Sequence, residues 1–488
     1  MEQVNKKKAP NILLIHADQH RFDCLGAYGN KDIKTPNIDS LARDGVVYNN
    51  SFCSFPVCTP SRYSLLSGLQ VRQHSGWTNH CTLPSYINTF PKVLRSQGYQ
   101  TASVGKMHFT PTYLDVGFDK MVLCEQDGPG RFDDDYHREL MDKGLWDRND
   151  LEDQRAEYRE NAPEEYWDSL GSMVSNLQDE YHSTSWIGRK ALEEITEWKE
   201  DGNLLMVGFV KPHHPFDPSE SWSDLYDPNE LSILPGWTEA CLERDLAFSK
   251  GYFPHDDNDE AKVKKVMAYY YANISHIDHE VGKMIALLKE KGLYDNTIII
   301  YTSDHGDYMG FHHLMLKGNY MYDPVIKVPL IIKYVNSNQG GGVSEQLVSN
   351  IDLASTIVHL AGVEKPEQME DYNILEDKRE FVVSESGHQT EYMIRDSRYK
   401  LLLSKDENKS LFFDLENDPL ELENRYYDEA YQDAIKKFKE KLRHWALFEV
   451  VIPTSLDEYA DIIKQDNALG YDVERRGTSE QYFREKMR

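Results

Sequence analysis

Three apolar runs rich in β-branched residues each stop at a knot of ionisable side chains. Asn11–Ala17 (NILLIHA) runs into Asp18-Gln19, Asn203–Val210 (NLLMVGFV) into Lys211-Pro212-His213-His214-Pro215, and Asn296–Ser303 (NTIIIYTS) into Asp304-His305. Runs without polar alternation belong to strands covered on both faces, as in parallel sheets between helices. Helical patterns separate them at Thr35–Asp44, Pro60–Ser67, Asn88–Gln97, Asp259–Lys291 and Ile351–Ala361, with further short strands at Thr101–Val104 and Val328–Tyr334. This alternation predicts an α/β fold, a large mixed but mostly parallel sheet sandwiched by helices. Open sheets of this kind place their sites at the carboxyl ends of strands, so the polar knots are the first candidates for chemistry.

With 488 residues the chain is long enough for a large core and more than one unit. The α/β pattern covers residues 9–379, with an acidic, aromatic stretch at about 125–200 that has weak strand character and is expected as an insertion near the site. From 380 to 450 the pattern changes to short strands (FVVSES, EYMIRD, YKLLLS, SLFFDL) and a helix at Tyr427–Phe448, which predicts a small α+β subdomain of antiparallel strands and a helix. Residues 451–488 form a charged tail expected to contact another subunit in a homo-oligomer.

The chain carries 54 basic and 82 acidic residues, a formal charge of -28, which argues against nucleic acid or anionic membrane as partners. A small anionic substrate stays open, because a local cationic cluster outweighs a screened distant field. Met1–Lys8 is polar with no apolar signal region, and no apolar run approaches membrane-spanning length, so a cytoplasmic location is expected. The six cysteines are scattered without C-x-x-C pairs, which suggests neither a disulfide framework nor a zinc site.

Between the first two apolar runs lies Val57-Cys58-Thr59-Pro60-Ser61-Arg62-Tyr63-Ser64-Leu65-Leu66-Ser67-Gly68-Leu69. Pro60 suits the first turn of a helix and Gly68 its end. Residue 58 is then expected just before a helix N-terminus, where free N–H groups favour an anion, with Arg62 one turn on to offer a planar fork of donors. Asp18 and Asp304 both end strands and can converge as hard oxygen ligands for a cation. Taken singly, Cys58 is equally a buried structural cysteine, and Asp18-Gln19 a strand-end turn.

Cys-x-Pro-Ser-Arg followed by Leu-x-Gly resembles the signature of the type I, formylglycine-dependent sulfatases of the alkaline phosphatase superfamily. The resemblance runs from Asn11 to about Phe448 and implies an alkaline phosphatase-like fold. It also implies oxidation of Cys58 to formylglycine, by a formylglycine-generating or anaerobic sulfatase-maturating enzyme. The implied metal ligands are Asp18, the residue made from Cys58, Asp304 and His305. Calcium is the family default, and an imidazole ligand admits manganese or zinc. Gly105-Lys106-Met107-His108 is similar to the family Gly-Lys-x-His, whose lysine and histidine contact the formylglycine and sulfate. Lys211-Pro212-His213-His214-Pro215-Phe216 is similar to Lys-Pro-His-x-Pro-Phe, giving His213 the role. Lys317 matches a lysine that meets the leaving-group oxygen, and Asn79 a substrate-contacting asparagine. Many arylsulfatases carry Asp at the Gln19 position and Asn at the His305 position. Gln19 and His305 here, with Gln19 read as substrate-binding, are nearer to choline sulfatases and phosphonate monoester hydrolases. His312 and His313 are read as loop residues, Met315 and Met321 as packing.

The implied activity is cleavage of a sulfate monoester of a small anionic substrate by a formylglycine gem-diol, with a divalent cation. Arg62, Lys106 and Lys317 hold the charge, and His213 protonates the departing alkoxide together with Lys317. His108, expected to titrate near neutrality, takes the proton that releases sulfate. The alternative within the superfamily is a phosphonate monoester or phosphodiester hydrolase. By the same resemblance those relatives lack the Lys-x-His pair that this chain keeps. A phosphatase-like enzyme would need a second ligand set, and a non-catalytic binding protein would be expected to have lost Cys58, Arg62 or a metal ligand.

Overall fold

The computed structural model describes residues 9–125, 134–145, 164–248, 253, 258–318, 320–336, 341–369, 372–387 and 389–453. The larger sheet contains β1 (Asn11–Asp18), β2 (Val46–Phe52), β3 (Gln100–Gly105), β4 (Lys120–Leu123), β5 (Asn203–Pro212), β6 (Thr297–Ser303), β7 (Leu330–Lys333) and β8 (Gly342–Ser349), in the order β4-β3-β5-β1-β6-β7-β2-β8. β1 is parallel to both β5 and β6, β3 to β4 and β5, and β2 to β8, whereas β7 runs antiparallel to β6 and β2. The sheet is thus mixed and mostly parallel, as expected.

β1 shows why its sequence lacks alternation. Leu13, Ile15 and Ala17 enter one core with helices α1 (Pro36–Asp44), α4 (Ser183–Glu197) and α5 (Glu260–Glu290). Ile12 and Leu14 enter the opposite core with α2 (Cys58–Ser67), α3 (Phe90–Ser96) and α6 (Asp352–Leu360). Both faces are dry, so both sets of side chains are apolar. Two glycines let the site's edge close: Gly105 of β3 faces Gly208 of β5, and a Cβ on Gly105 would strike the Gly208 carbonyl oxygen. Gly105 also takes a φ of +90°, which turns the chain out of β3 towards Lys106.

The stretch expected as an insertion at about 125–200 is only partly described, and its last segment is not an insertion. α4 packs on β5 and α5 as part of the sandwich, with Trp186, Ile187, Ala191 and Ile195 buried. Its helical period was hidden by its acidic flanks. The C-terminal sheet has the order β12-β11-β10-β9 and is antiparallel throughout. Its strands are β9 (Val382–Ser386), β10 (Glu391–Arg395), β11 (Tyr399–Ser404) and β12 (Leu411–Asp414), with helix α7 (Gln432–His444) against one face. The tail from residue 454, expected to meet another subunit, lies outside the described residues. Among the described residues no helix is long and apolar enough to cross a membrane.

Candidate active site

The ends of β1 and β6 bring Asp18, Asp304 and His305 together, and α2 delivers Cys58 to them. One ligand atom from each of these four buried residues lies within 4.8 Å of all the others. α2 begins earlier than Pro60 suggests: Val57 is its N-cap and Cys58 its first helical residue. Gly68 closes it in the left-handed conformation at φ 67°. Asn79 Oδ1 accepts the Thr59 N–H at 3.1 Å, which satisfies one of the free donors of the helix start. Asn79, expected as a substrate contact, thus caps the helix that carries Cys58.

Arg62 departs from the expected picture. Nη2 reaches Asp18 Oδ2 at 2.8 Å, Nε reaches Asp304 Oδ2 at 2.9 Å, and Nη1 donates to the Lys106 carbonyl at 2.7 Å. Three of its donors thus brace the two carboxylates and the β3 turn, where a fork open to an oxyanion was expected. Lys106 Nζ adds a second cation at 2.8 Å from Asp18 Oδ2. Burial favours a neutral Asp18, but Lys106, His213, Arg62 and Lys317 outweigh it and hold the carboxyl well below its ordinary value.

The remaining donor atoms point at a common place. Asp18 Oδ1 lies 3.9 Å from His305 Nε2 and 3.7 Å from Cys58 Sγ. His305 Nδ1 donates to the Gly306 carbonyl at 2.9 Å, so its Nε2 carries the lone pair, 3.2 Å from Cys58 Sγ. Gln19 is held on three sides: its N–H on Asp304 Oδ1 (3.1 Å), its carbonyl on the Tyr270 hydroxyl (2.6 Å), and Nε2 on Asp307 Oδ2 (2.5 Å). Its Oε1 is buried with no hydrogen-bond partner. Two carboxylates and an imidazole lone pair, gathered with residue 58 within 4.8 Å, are a donor set for a divalent cation, so the residues present fit one.

Lys317 stands on the outer side, with Nζ 2.9 Å from Cys58 Sγ, 2.7 Å from His213 Nε2 and 3.3 Å from His305 Nε2. His213 Nδ1 donates to the His214 carbonyl at 2.5 Å, leaving Nε2 to accept from Lys317. His108, placed by a turn with φ 57°, is 3 % exposed. The near-neutral titration expected of it is not found: burial, Lys106 and Arg62 hold its imidazole well below the ordinary value, as a neutral base. As a thiol, Cys58 is no ready nucleophile, since burial and Asp18 push it up to about 11.

All eleven residues singled out from the sequence fall on this crest or its immediate support. His312 is elsewhere, bonded to Asp245 and the Leu420 carbonyl, and His313 stacks on Trp237. Met315 and Met321 are core residues. Three supporting residues were missed. Asp307 orients Gln19, the Thr59 hydroxyl donates to the His108 carbonyl at 2.8 Å, and Glu125 accepts the N–H groups of Met107 and His108. Thr59 and Glu125 act on backbone atoms, which leave no mark in a spacing pattern.

A mostly parallel sheet with this charged crest is the framework of a sulfatase-type hydrolase. Residues 10–363 match the family profile described as Sulfatase, and residues 310–447 that described as N-sulphoglucosamine sulphohydrolase, C-terminal. The chain belongs to the sulfatase family. It is 29% identical over 458 residues to an arylsulfatase of Clostridium perfringens, covering 87% of this chain and 92% of that protein. It is 30% identical over 473 residues to the uncharacterized sulfatase YidJ of Escherichia coli, covering 89% and 86%. In fold it is similar to the phosphonate monoester hydrolase of Agrobacterium radiobacter, with a TM-score of 0.73, 22% identity, and coverage of 89% and 95%.

Proposed function

We propose that this sulfatase-family hydrolase cleaves sulfate monoesters, with Cys58 matured to formylglycine and one divalent cation held by Asp18, residue 58, Asp304 and His305. The convergence of those four residues within 4.8 Å, ringed by Arg62, Lys106 and Lys317, is the observation that carries the reading. When bound, the cation would polarise a substrate oxygen, and the hydrated aldehyde would supply a hydroxyl nucleophile and a way to expel sulfate. Calcium suits the oxygen-rich set, and the single imidazole admits manganese or zinc.

The chain's own residues account for the rest. Lys317 presents its ammonium group to residue 58 and Lys106 its own to Asp18 beside it, where negative charge accumulates on the transferring group. Arg62 keeps both carboxylates ionised and in place. Lys317 Nζ supplies the proton for the departing alkoxide, and the neutral His213, whose Nε2 lone pair accepts from it, keeps that ammonium group in place. His108 Nε2 or Nδ1, neither of them hydrogen-bonded, accepts the proton lost from residue 58 as sulfate leaves. Gln19 Oε1, buried without a partner, is an acceptor for a substrate donor, and Asn79 keeps the helix start in register.

Phosphonate ester hydrolysis is the second reading, favoured by Gln19, Asn79 and His305. The buried Lys106–His108 pair favours sulfate. Maturation is tested by mass spectrometry of the peptide containing Ser61, after co-expression with a maturation enzyme. An aldehyde or its hydrate at residue 58 is expected. A fully active protein with an entirely unmodified thiol there contradicts the proposal.

A further inference from the structure

The turn that carries Lys106 and His108 is anchored by a carboxylate outside the charged crest. Glu125, just beyond β4, is 1% exposed. Its Oε1 accepts the N–H of Met107 at 2.9 Å and of His108 at 3.0 Å, and its Oε2 also lies 3.0 Å from the His108 nitrogen. From the other side, the Thr59 hydroxyl donates to the His108 carbonyl at 2.8 Å. Thr59 directly follows Cys58, so this clamp links the His108 backbone to the start of α2. The imidazole itself has no such support: both of its nitrogens are buried without a hydrogen-bond partner. A ring with no side-chain partner takes its place from its backbone. At His108 that backbone has φ +57°, a conformation that needs outside support in a residue other than glycine. Glu125 is itself fixed, its N–H donating to Asp134 Oδ2 at 2.5 Å and Asp134 Oδ1 meeting His137 Nδ1 at 2.7 Å.

We infer that Glu125 is a positioning residue for turnover. Its carboxylate sets the Met107–His108 backbone and thereby the place of the His108 imidazole opposite residue 58. Lys106 shares the turn but is separately tied to Asp18, so the effect falls on His108 first. The inference rests on the reading of His108 as proton acceptor, and its test separates the two.

Glu125→Gln, Glu125→Asp, His108→Ala and the double variant Glu125→Gln/His108→Ala are compared in two ways. Matured enzyme is assayed with p-nitrophenyl sulfate. Unmatured protein, with Cys58 still a thiol, is examined by NMR of 15N-labelled histidine, the His108 signal being assigned by its loss in His108→Ala. Glu125→Gln is expected to lower kcat about 10–100-fold with KM changed less than about twofold, the scale of a small misplacement of a reacting group. It is expected to shift or split the His108 signal while the His213 and His305 signals stay. In the His108→Ala background the same change is expected to cost less than about twofold, because the two residues act as one unit. An equal loss in both backgrounds, or an unmoved His108 signal, overturns the inference. Should Glu125→Gln not fold, Glu125→Asp, which keeps the carboxyl group but withdraws it by one carbon, must move the same signal, and an unmoved signal overturns it equally. Wild-type kcat in His108→Ala contradicts the base assignment, and the NMR comparison then decides the positioning claim alone.

Discussion

Among the described residues, the crest and a second buried cluster of charge are built differently. At the junction between the two sheets, Arg395 reaches Asp323 Oδ2 at 2.7 Å, and Lys400 reaches Asp323 Oδ1 at 2.9 Å and Glu421 Oε1 at 2.5 Å. Glu421 Oε2 accepts the Asp323 N–H at 2.8 Å. Three of the four carboxylate oxygens there accept hydrogen bonds from the chain and Glu421 Oε1 is met by the Lys400 ion pair alone, and the cluster joins β10 and β11 to the short helical turn Asp323–Ile326 of the larger unit. At the crest, by contrast, Asp18 Oδ1 and His305 Nε2 meet only long contacts, 3.7 Å to Cys58 Sγ for the one and 3.3 Å to Lys317 Nζ for the other, and Gln19 Oε1 is buried without a partner. Burial of polar atoms is costly in both, and only the junction settles that cost within the chain. A saturated cluster is structure; one with inward-facing open valences is a receptor for something absent from the chain.

That contrast is sharpest where loss of function and loss of stability should separate. Cys58→Ala is expected to lower turnover by about 10⁴-fold or more, the scale of removing a nucleophile, with thermal unfolding little changed. Steady-state assay and a melting curve on the same sample check both halves. Asp18→Asn and Asp304→Asn are expected to lose metal and activity together, by more than the roughly 10–100-fold typical of an outer supporting residue. Metal content by elemental analysis, read beside the assay, decides this. Activity that survives both substitutions and chelation removes the cation from the account.

The junction should show the opposite signature. Lys400→Met strands Glu421 as a buried acid, leaves Asp323 to Arg395 alone, and is expected to cost about 3–5 kcal/mol of stability. In protein still folded at assay temperature, kcat should be unchanged. Urea unfolding monitored by tryptophan fluorescence measures the first, and the assay the second. A large kcat loss without destabilisation would erase the distinction between the clusters. The smallest effect is expected at the exposed pair Arg95–Asp115, 35% and 47% exposed and 3.3 Å apart. There Arg95→Ala should change stability by less than about 1 kcal/mol.

What the sequence disclosed follows from how each part is held. β1, β5 and β6 were legible because strands dry on both faces must be apolar throughout. β2 (VVYNNSF) and the half-exposed edge strand β8 (GVSEQLVS) were not, since neither keeps an unbroken run or a clean alternation. The reversed direction of β7 was hidden too, because side-chain period does not encode strand direction. The crest was legible where chemistry demands particular side chains at strand ends and in the Cys58–Arg62 signature. Arg62 was legible from its spacing, but only the fold shows that three of its donors meet Asp18, Asp304 and the Lys106 carbonyl. His108 was likewise found, yet its neutral state depends on burial that a sequence does not state. Glu125 and Thr59 escaped altogether because any residue able to reach a backbone amide or carbonyl could have done their work.

The central claim is that this crest is tuned to sulfate monoesters. It is tested most directly by measuring kcat/KM of the matured, metal-loaded enzyme on phenyl esters of sulfate, phosphonate and phosphate under one set of conditions. Lys106 holding the transferring group and His108 accepting the released proton predict that the sulfate ester exceeds the phosphonate ester and the phosphodiester by several orders of magnitude. Equal or higher efficiency on the phosphonate ester would contradict the account and make Gln19, Asn79 and His305 the truer guide to what the enzyme does.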